Sequence, residues 1–192
     1  MTKKLTALQM SYAAMFSALM MIGANITSFV PFLVVGGVPI TLQTFFAILS
    51  GILLGSRLGA LSMTVYALLG LVGAPVFAQF HGGLGTFVSP TFGFILSFIF
   101  TAYAAGKIAE KSSKLSAYIF ASIIGMAINY VIGTNWMYVA YKWWAEAPEG
   151  FTYQIAWAWM MVPLPKDFIL AIFAGWMAHR LERTVNIQKR AA

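Results

Sequence analysis

The chain has 192 residues, of which 60% are hydrophobic and only 9% charged, and its mean hydropathy is +0.82. Soluble domains carry about 25% charged residues, so this composition excludes a soluble globular protein. The absence of cysteine also excludes disulfides, thiol catalysis and cysteine-ligated metals.

At about 20 residues for each membrane span, the length predicts an all-α integral membrane protein with six transmembrane helices. We expect residues 1–192 to form a single transmembrane substrate-binding domain, with no room for a second, soluble domain.

The first predicted helix covers residues 6–30. From residue 7 to residue 35 the strongly polar side chains are Gln9 and Asn25, and this run is too long for the apolar region of a cleaved signal peptide. Ala14 and Ala18 form a pair of small residues four positions apart, which lets two helices approach closely in lipid. This pair fits two alternative roles: packing against another helix of the same chain, or contact with a partner subunit.

Residues 30–41 form an apolar link rich in glycine and proline, and irregular backbone of this kind needs shielding at membrane depth. Two short helices are predicted at residues 42–54 and 58–71, with Gln43 at the start of the first. Both are short for a full crossing. Two arrangements fit such short helices: a partly re-entrant region, or full crossings completed by the apolar residues that flank each helix.

Residues 74–91, APVFAQFHGGLGTFVSPT, are a glycine-rich break that contains no Lys, Arg, Asp or Glu. We name this segment the lid. Its polar and glycine positions include Gln79, His81, Gly83 and Thr91, which supply hydrogen bonds and allow close backbone approach. The pattern predicts a lid over a buried, mostly neutral ligand; the alternative is a flexible hairpin between two membrane helices.

Further helices are predicted at residues 91–109, 115–141 and 153–181. The second carries Asn129 in an apolar setting, and the third is interrupted by Pro163 and Pro165. Because proline is tolerated in the first turn of a helix, Lys166 and Asp167 are predicted in the first turn of the last segment. Lys166 is a candidate partner for a ligand carboxylate; the alternative is a lysine reaching the interface beside an N-capping aspartate.

The net charge of +7 arises from basic residues that flank the apolar segments, and not from a basic face that would bind nucleic acid. We therefore predict no nucleic-acid partner. Ten of the twelve basic residues lie at the two ends of the chain, at Arg57 and in residues 107–114. Six spans put these regions on one side, which the positive-inside rule makes cytoplasmic. We therefore predict a multi-pass protein of the plasma membrane, with both termini cytoplasmic and the lid facing outward.

Motifs for catalysis and cofactors are absent from the sequence. His81 and His179 are its only histidines, no metal-ligand spacing occurs, and the GGLG run lacks the Lys-Ser/Thr of a phosphate loop. We predict neither an enzyme nor a bound metal or cofactor. An intramembrane enzyme that modifies lipid, with His81 as base, is the alternative from another class.

Several motifs together resemble one family. They are VPITLQT at residues 38–44, LLGSRLGALS at 53–62, GAPVF at 73–77, GGLG at 82–85, SPTFGF at 89–94, GTNW at 133–136 and LPKD at 164–167. This set resembles the BioY family, the biotin-specific S components of energy-coupling-factor (ECF) transporters. The resemblance implies a six-helix protein that captures biotin from outside and works with a transmembrane T subunit and two cytoplasmic ATPase subunits. It also makes Ala14 and Ala18 candidate contacts with the T subunit.

The resemblance also suggests roles for the polar residues. BioY proteins usually have a Lys three residues after the Asp of the last helix, where this chain has Leu170, and we hypothesise that Lys166 takes over binding of the biotin carboxylate. Asp167 would orient that lysine. The ureido group of biotin would meet amides such as Gln43, Gln79 or Asn129, with His81, Gly83 and Thr91 as further lid candidates. Alternatives are an S component for another vitamin, such as thiamine, and a plain helix-bundle scaffold.

Overall fold

The computed structural model describes residues 5–26, 28, 34–35 and 37–185, and within them the chain is mainly helical. The elements in chain order are α1 (Ala7–Asn25), β1 (Val34–Val35), β2 (Val38–Pro39), α2 (Gln43–Leu54), α3 (Ser56–Val72), α4 (Phe92–Ala109), α5 (Leu115–Trp143), α6 (Tyr153–Met161) and α7 (Leu164–Val185). Two short 3₁₀ turns, Ala78–Phe80 and Leu84–Val88, lie in the lid between α3 and α4.

A capping box starts α1. The Thr6 hydroxyl accepts a hydrogen bond from the Gln9 amide at 3.2 Å, and the Gln9 side chain accepts one from the Thr6 amide at 2.8 Å. These two bonds satisfy amides that have no partner inside the helix. The start of α1 is therefore set by local sequence.

Close backbone contacts join α2 to α4. A Cβ atom on Gly51 of α2 would collide with the Ala102 carbonyl of α4, and one on Gly106 would lie 2.6 Å from the Gly51 carbonyl oxygen. Only glycine fits at these two positions. Small residues allow this approach between membrane helices, where lipid supplies no hydrophobic drive for association.

The described chain is mainly helical, and the link before α2 adds one small sheet that the sequence did not predict. β1 and β2 pair antiparallel, with Val34 opposite Pro39 and Val35 opposite Val38. The pairing satisfies backbone polar groups that an unpaired loop would leave without partners.

The predicted interruption of the last helix is confirmed. α6 ends at Met161, α7 begins at Leu164, and the two helices bend by 56°. Pro163 supplies the carbonyl that accepts the Asp167 amide at 3.0 Å, so this bond closes the first turn of α7. Lys166 and Asp167 lie in that turn, as the sequence predicts.

Helix length and composition alone give three or four candidate membrane crossings within the described residues. Within the described residues, α1, α4 and α5 are long and apolar enough to span a bilayer, and the bent pair α6–α7 makes a fourth if it counts as one span. α2 and α3 have 12 and 17 residues. At 1.5 Å per residue they are about 18 and 25 Å long, shorter than a hydrocarbon core of about 30 Å.

Candidate functional site

A cavity of about 440 Å³ lies beneath the lid. Its volume falls within the range of about 300–1,000 Å³ that is typical of small-molecule sites. Its wall is built by residues 37–41, by α2, α4 and α5, by the lid and by the bend between α6 and α7. Seven of the eight predicted binding residues line it: Gln43, Gln79, His81, Thr91, Asn129, Lys166 and Asp167.

Gly83 is the predicted residue that does not line the cavity, although its neighbours Gly82 and Gly85 do. Its amide donates to the Gly70 carbonyl at 2.7 Å and its φ is +96°. Gly83 therefore ties the lid to the end of α3 instead of facing a ligand.

An ion pair occupies one side of the cavity. Lys166 Nζ lies 2.8 Å from Asp167 Oδ1, and the side chains are 33% and 10% exposed. The ammonium also donates to the Thr41 carbonyl, and Asp167 Oδ2 accepts the Tyr130 hydroxyl at 2.7 Å. Each oxygen of the buried carboxylate has a donor, which offsets the cost of removing the charge from water.

This arrangement leaves capacity for an anion. An ammonium group has three donors, and Lys166 uses two of them in the described contacts, on Asp167 and Thr41. The third can meet a ligand carboxylate while Asp167 holds the lysine in place.

A buried amide forms the centre of the cavity wall. Asn129 is 3% exposed, and its Nδ2 donates to the Ser97 hydroxyl at 2.6 Å. Its Oδ1 accepts the Thr44 hydroxyl at 3.2 Å. These bonds join α2, α4 and α5 and fix the amide orientation, and the carbonyl retains a second lone pair for a ligand donor.

The second buried amide belongs to Gln43, which is 5% exposed at the start of α2. Its Nε2 donates to the Tyr66 hydroxyl at 2.7 Å, and its Oε1 accepts the Thr41 hydroxyl at 3.1 Å. The Tyr66 hydroxyl in turn donates to the Val76 carbonyl at 3.2 Å. Gln43 thus connects the cavity wall to the first residues of the lid.

The lid residues are far more exposed than the amides on the helices. Gln79 and His81 are both exposed, and His81 Nδ1 lies 3.1 Å from the Ala78 carbonyl oxygen. Thr91 is half-buried and pairs with the Ser89 hydroxyl at 2.9 Å. The first part of the lid carries its polar groups on irregular backbone.

Two tryptophans, Trp136 in α5 and Trp144 directly after its last residue, bond to the second part of the lid. Trp136 Nε1 donates to the Ser89 carbonyl at 3.0 Å, and Trp144 Nε1 donates to the Val88 carbonyl at 2.6 Å. Phe87 adds an edge-on contact with Trp136 at 6.1 Å between ring centroids. Residues 87–89 are thereby fixed against a long helix.

Sequence reasoning missed the partners that fix the predicted residues, above all Tyr66, Tyr130, Thr41, Ser97 and Asn25. Tyr130 directly follows Asn129 in an apolar helix, so a phenol beside a buried amide was an available signal. Ser97 and Tyr66 have no such signal, since hydroxyl groups in membrane helices commonly bond to their own backbone.

The predicted partner pair lies away from the cavity. Ala14 and Ala18 are on the exposed face of α1, whereas Ala13 and Ser17 are buried. Ser17 donates to the Ser62 carbonyl at 2.8 Å, which anchors the inner face of α1 to α3. The small-residue pair is therefore not used for packing against α3.

Comparison with known proteins gives consistent matches along the chain. A sequence model described as the BioY family matches residues 1–187. A protein of Bacillus subtilis (strain 168) named putative biotin transporter BioYB is 45% identical over 186 residues, which cover 96% of this chain and 92% of that protein. The biotin transporter BioY of Thermotoga maritima is 41% identical over 125 residues, 65% of this chain and 71% of its own.

The fold also matches a solved structure, the crystal structure at 2.1 Å of the S-component for biotin from an ECF-type ABC transporter. The TM-score is 0.74 and the match covers 91% of this chain and 90% of the other. Because the identity is 23%, this likeness establishes the fold alone.

Proposed function

This chain belongs to the BioY family, whose sequence model covers residues 1–187, and on that premise we propose that it binds biotin as the S component of an ECF-type uptake transporter. The observation that carries the proposal is a cavity of about 440 Å³ that brings a lysine and two buried amides together under a lid. Its matched relatives are named biotin transporters, and binding without chemical change of the ligand is the proposed activity.

The carboxylate of biotin is assigned to Lys166. Its ammonium is held between Asp167 and the Thr41 carbonyl, on the side of the cavity next to residues 37–41. A charge-assisted hydrogen bond to a carboxylate is roughly twice as strong as one between neutral groups. Tyr130 holds Asp167 and so supports the lysine indirectly.

The ureido group of biotin, with two donors and one acceptor, is assigned to the amide side of the cavity. Asn129 is the first candidate, because its amide is oriented by Ser97 and Thr44. Gln43 and Gln79 are the further candidates. The apolar rings and chain would lie against Phe94, Ile95 and Phe98, which line the same cavity.

The membrane arrangement proposed here has six crossings: α1 to α5, and the bent pair α6–α7 as one. The short helices α2 and α3 are joined directly by Gly55 and would be completed by their apolar flanks. Six crossings place both termini on one side, which the basic residues make cytoplasmic. The cavity and its lid then face outward in the plasma membrane.

The proposed partners are a T subunit and two cytoplasmic ATPase subunits, as in the ECF class. Support comes from the exposed position of Ala14 and Ala18 on α1. A pair of small residues four positions apart on a lipid-facing surface permits close contact with a helix of another chain.

The test is a titration of the purified full-length chain with biotin, followed by tryptophan fluorescence. Trp136 bonds to the lid, so we expect a saturable change in emission. Thiamine, tested alongside, is expected to cause no change and no competition. A response to thiamine alone would point to another vitamin, and no response to any vitamin would leave the scaffold interpretation in place.

A further inference from the structure

Two adjacent residues at the start of the lid have left-handed backbone conformations. Gln79 has φ +60° and Phe80 has φ +56°, and neither is glycine. Side chains disfavour this conformation because Cβ approaches the following carbonyl oxygen. Such a turn persists only where surrounding contacts determine it.

The contacts that determine this turn come from Asn25, the last residue of α1, and from Ser28, three residues further along the chain. The Phe80 amide donates to Asn25 Oδ1 at 2.7 Å, and the Gln79 amide donates to the Ser28 hydroxyl at 3.1 Å. The Ser28 hydroxyl also donates to Asn25 Oδ1 at 3.4 Å. Both amides of the left-handed turn are therefore bonded to side chains of one short segment.

Asn25 also holds the residue that enters the turn. Its Nδ2 donates to the Val76 carbonyl at 3.3 Å and to the Met21 carbonyl at 3.1 Å. One side chain, 8% exposed, thus joins α1 to both ends of the segment from Val76 to Phe80. Asn25 does not line the cavity itself.

The Val76 carbonyl links this contact to the cavity wall. It accepts the Tyr66 hydroxyl, which in turn accepts the Gln43 amide. Asn25 and Gln43 consequently bond to the lid through the same carbonyl group, one directly and one through Tyr66.

We propose that Asn25 is a positioning residue for ligand retention: it latches the left-handed turn so that Gln79 lies over the cavity and the lid stays closed. Naming biotin as the retained ligand rests on the proposed function. The latch itself can be measured without any ligand.

Lid opening is measured by thiol labelling, because the chain has no cysteine and an introduced one reacts alone. Thr44→Cys places a thiol on the cavity wall beneath the lid, at a position that is 8% exposed. In the absence of biotin, adding Asn25→Ala is expected to raise its rate of maleimide labelling about tenfold. Asn135→Ala, which changes an exposed asparagine on α5 whose side chain bonds to Val131 and Tyr153, should leave the rate unchanged.

A rescue separates latching from general destabilisation. Glycine adopts positive φ readily, so Phe80→Gly removes the conformational strain at one of the two residues that Asn25 supports. In the double variant Asn25→Ala with Phe80→Gly, we expect labelling to return at least halfway to the starting rate. Failure of the glycine to slow labelling would overturn the latch, since packing loss at Asn25 would not be repaired at residue 80.

Biotin dissociation is the second readout. With Thr44 intact, Asn25→Ala is expected to speed dissociation about tenfold while changing the association rate less than threefold, since affinity changes appear mainly in dissociation. If Asn25→Ala does not fold, Ser28→Ala replaces it: about threefold faster labelling supports the latch, and an unchanged rate refutes it. Should the wild-type chain bind no biotin while labelling still responds, the proposed function fails and the latch stands.

Discussion

The helix-borne wall of the cavity and the start of its lid are built differently. On the wall, Gln43 and Asn129 are 5% and 3% exposed, and each bonds to groups on neighbouring elements. In the lid, Gln79 and His81 are exposed, and the turn that carries Gln79 depends on two side chains at and just beyond the end of α1. The side chains of the wall are fixed by bonds between helices, whereas the start of the lid is held by a few contacts. Substitutions in the wall should therefore lower both biotin affinity and stability, and substitutions in the lid should mainly speed biotin dissociation.

Removing the positive charge of Lys166 from the wall should have the largest effect on biotin affinity. Truncating one partner of a charge pair that ligand binding buries costs about 2–5 kcal/mol. Lys166→Met removes the cation assigned to the biotin carboxylate and is therefore expected to weaken biotin binding by about 100-fold or more. The measurement is fluorescence titration with biotin and with its uncharged carboxamide, which should lose much less. Lys142→Met, an exposed lysine outside the cavity, is the matched control. Equal losses for both ligands would show that Lys166 does not bind the carboxylate.

Removing the buried amide of Asn129 from the wall should have the second largest effect on biotin affinity. Asn129→Leu removes the acceptor of the buried Thr44 hydroxyl, whereas Ser97 loses one donor and keeps its bond to the Phe94 carbonyl. One unsatisfied buried group costs about 1–3 kcal/mol. Biotin affinity should fall about 30-fold, and the thermal unfolding temperature should fall with it. Asn135→Leu on the same helix should change neither. A variant that lost affinity with unchanged stability would mean that the wall is less rigid than its hydrogen bonds suggest.

The lid side chains should have a smaller effect, on biotin dissociation and not on the stability of the fold. Exposed substitutions usually change stability by less than about 0.5 kcal/mol, so Gln79→Ala and His81→Ala should leave the unfolding temperature unchanged. We expect biotin to dissociate about three- to tenfold faster in stopped-flow displacement. A stability loss as large as that of Asn129→Leu would erase the distinction between wall and lid.

The smallest effect is predicted at a turn remote from the cavity. Partial burial opposes ionisation of Glu110, but bonds from the Ser56 amide and hydroxyl at 2.7 and 2.8 Å, together with Lys107, hold its pKa below the usual value. A lowered folded-state pKa adds stability that is present above the ordinary pKa of about 4.3 and lost as pH falls through the folded pKa.

Glu110→Gln should therefore show a slightly weaker decrease in stability below about pH 4.3 than the wild-type chain, as measured by thermal unfolding across pH. Biotin binding at neutral pH should be the same in both. A change in affinity would show that this turn is coupled to the cavity after all.

Much of the fold and of the site could be predicted from residues that are close together in the sequence. The apolar composition, the interruption at Pro163 and Pro165, and the position of Lys166 in the first turn of α7 are all read from neighbouring residues. The same holds for the uncharged character of the lid, nine of whose residues line the cavity. Such features depend on backbone rules that act within a few positions of the chain.

Pairing across the fold was decided by tertiary structure. Lys166 bonds to Thr41, 125 positions away, and Asn25 bonds to Phe80, 55 positions away. Gly83 appeared equivalent to Gly82 and Gly85, yet its amide bonds to α3 and leaves the cavity to its neighbours. A single sequence specifies which groups are polar, but the partner of each depends on how helices pack, and that is settled by contacts summed over the whole bundle.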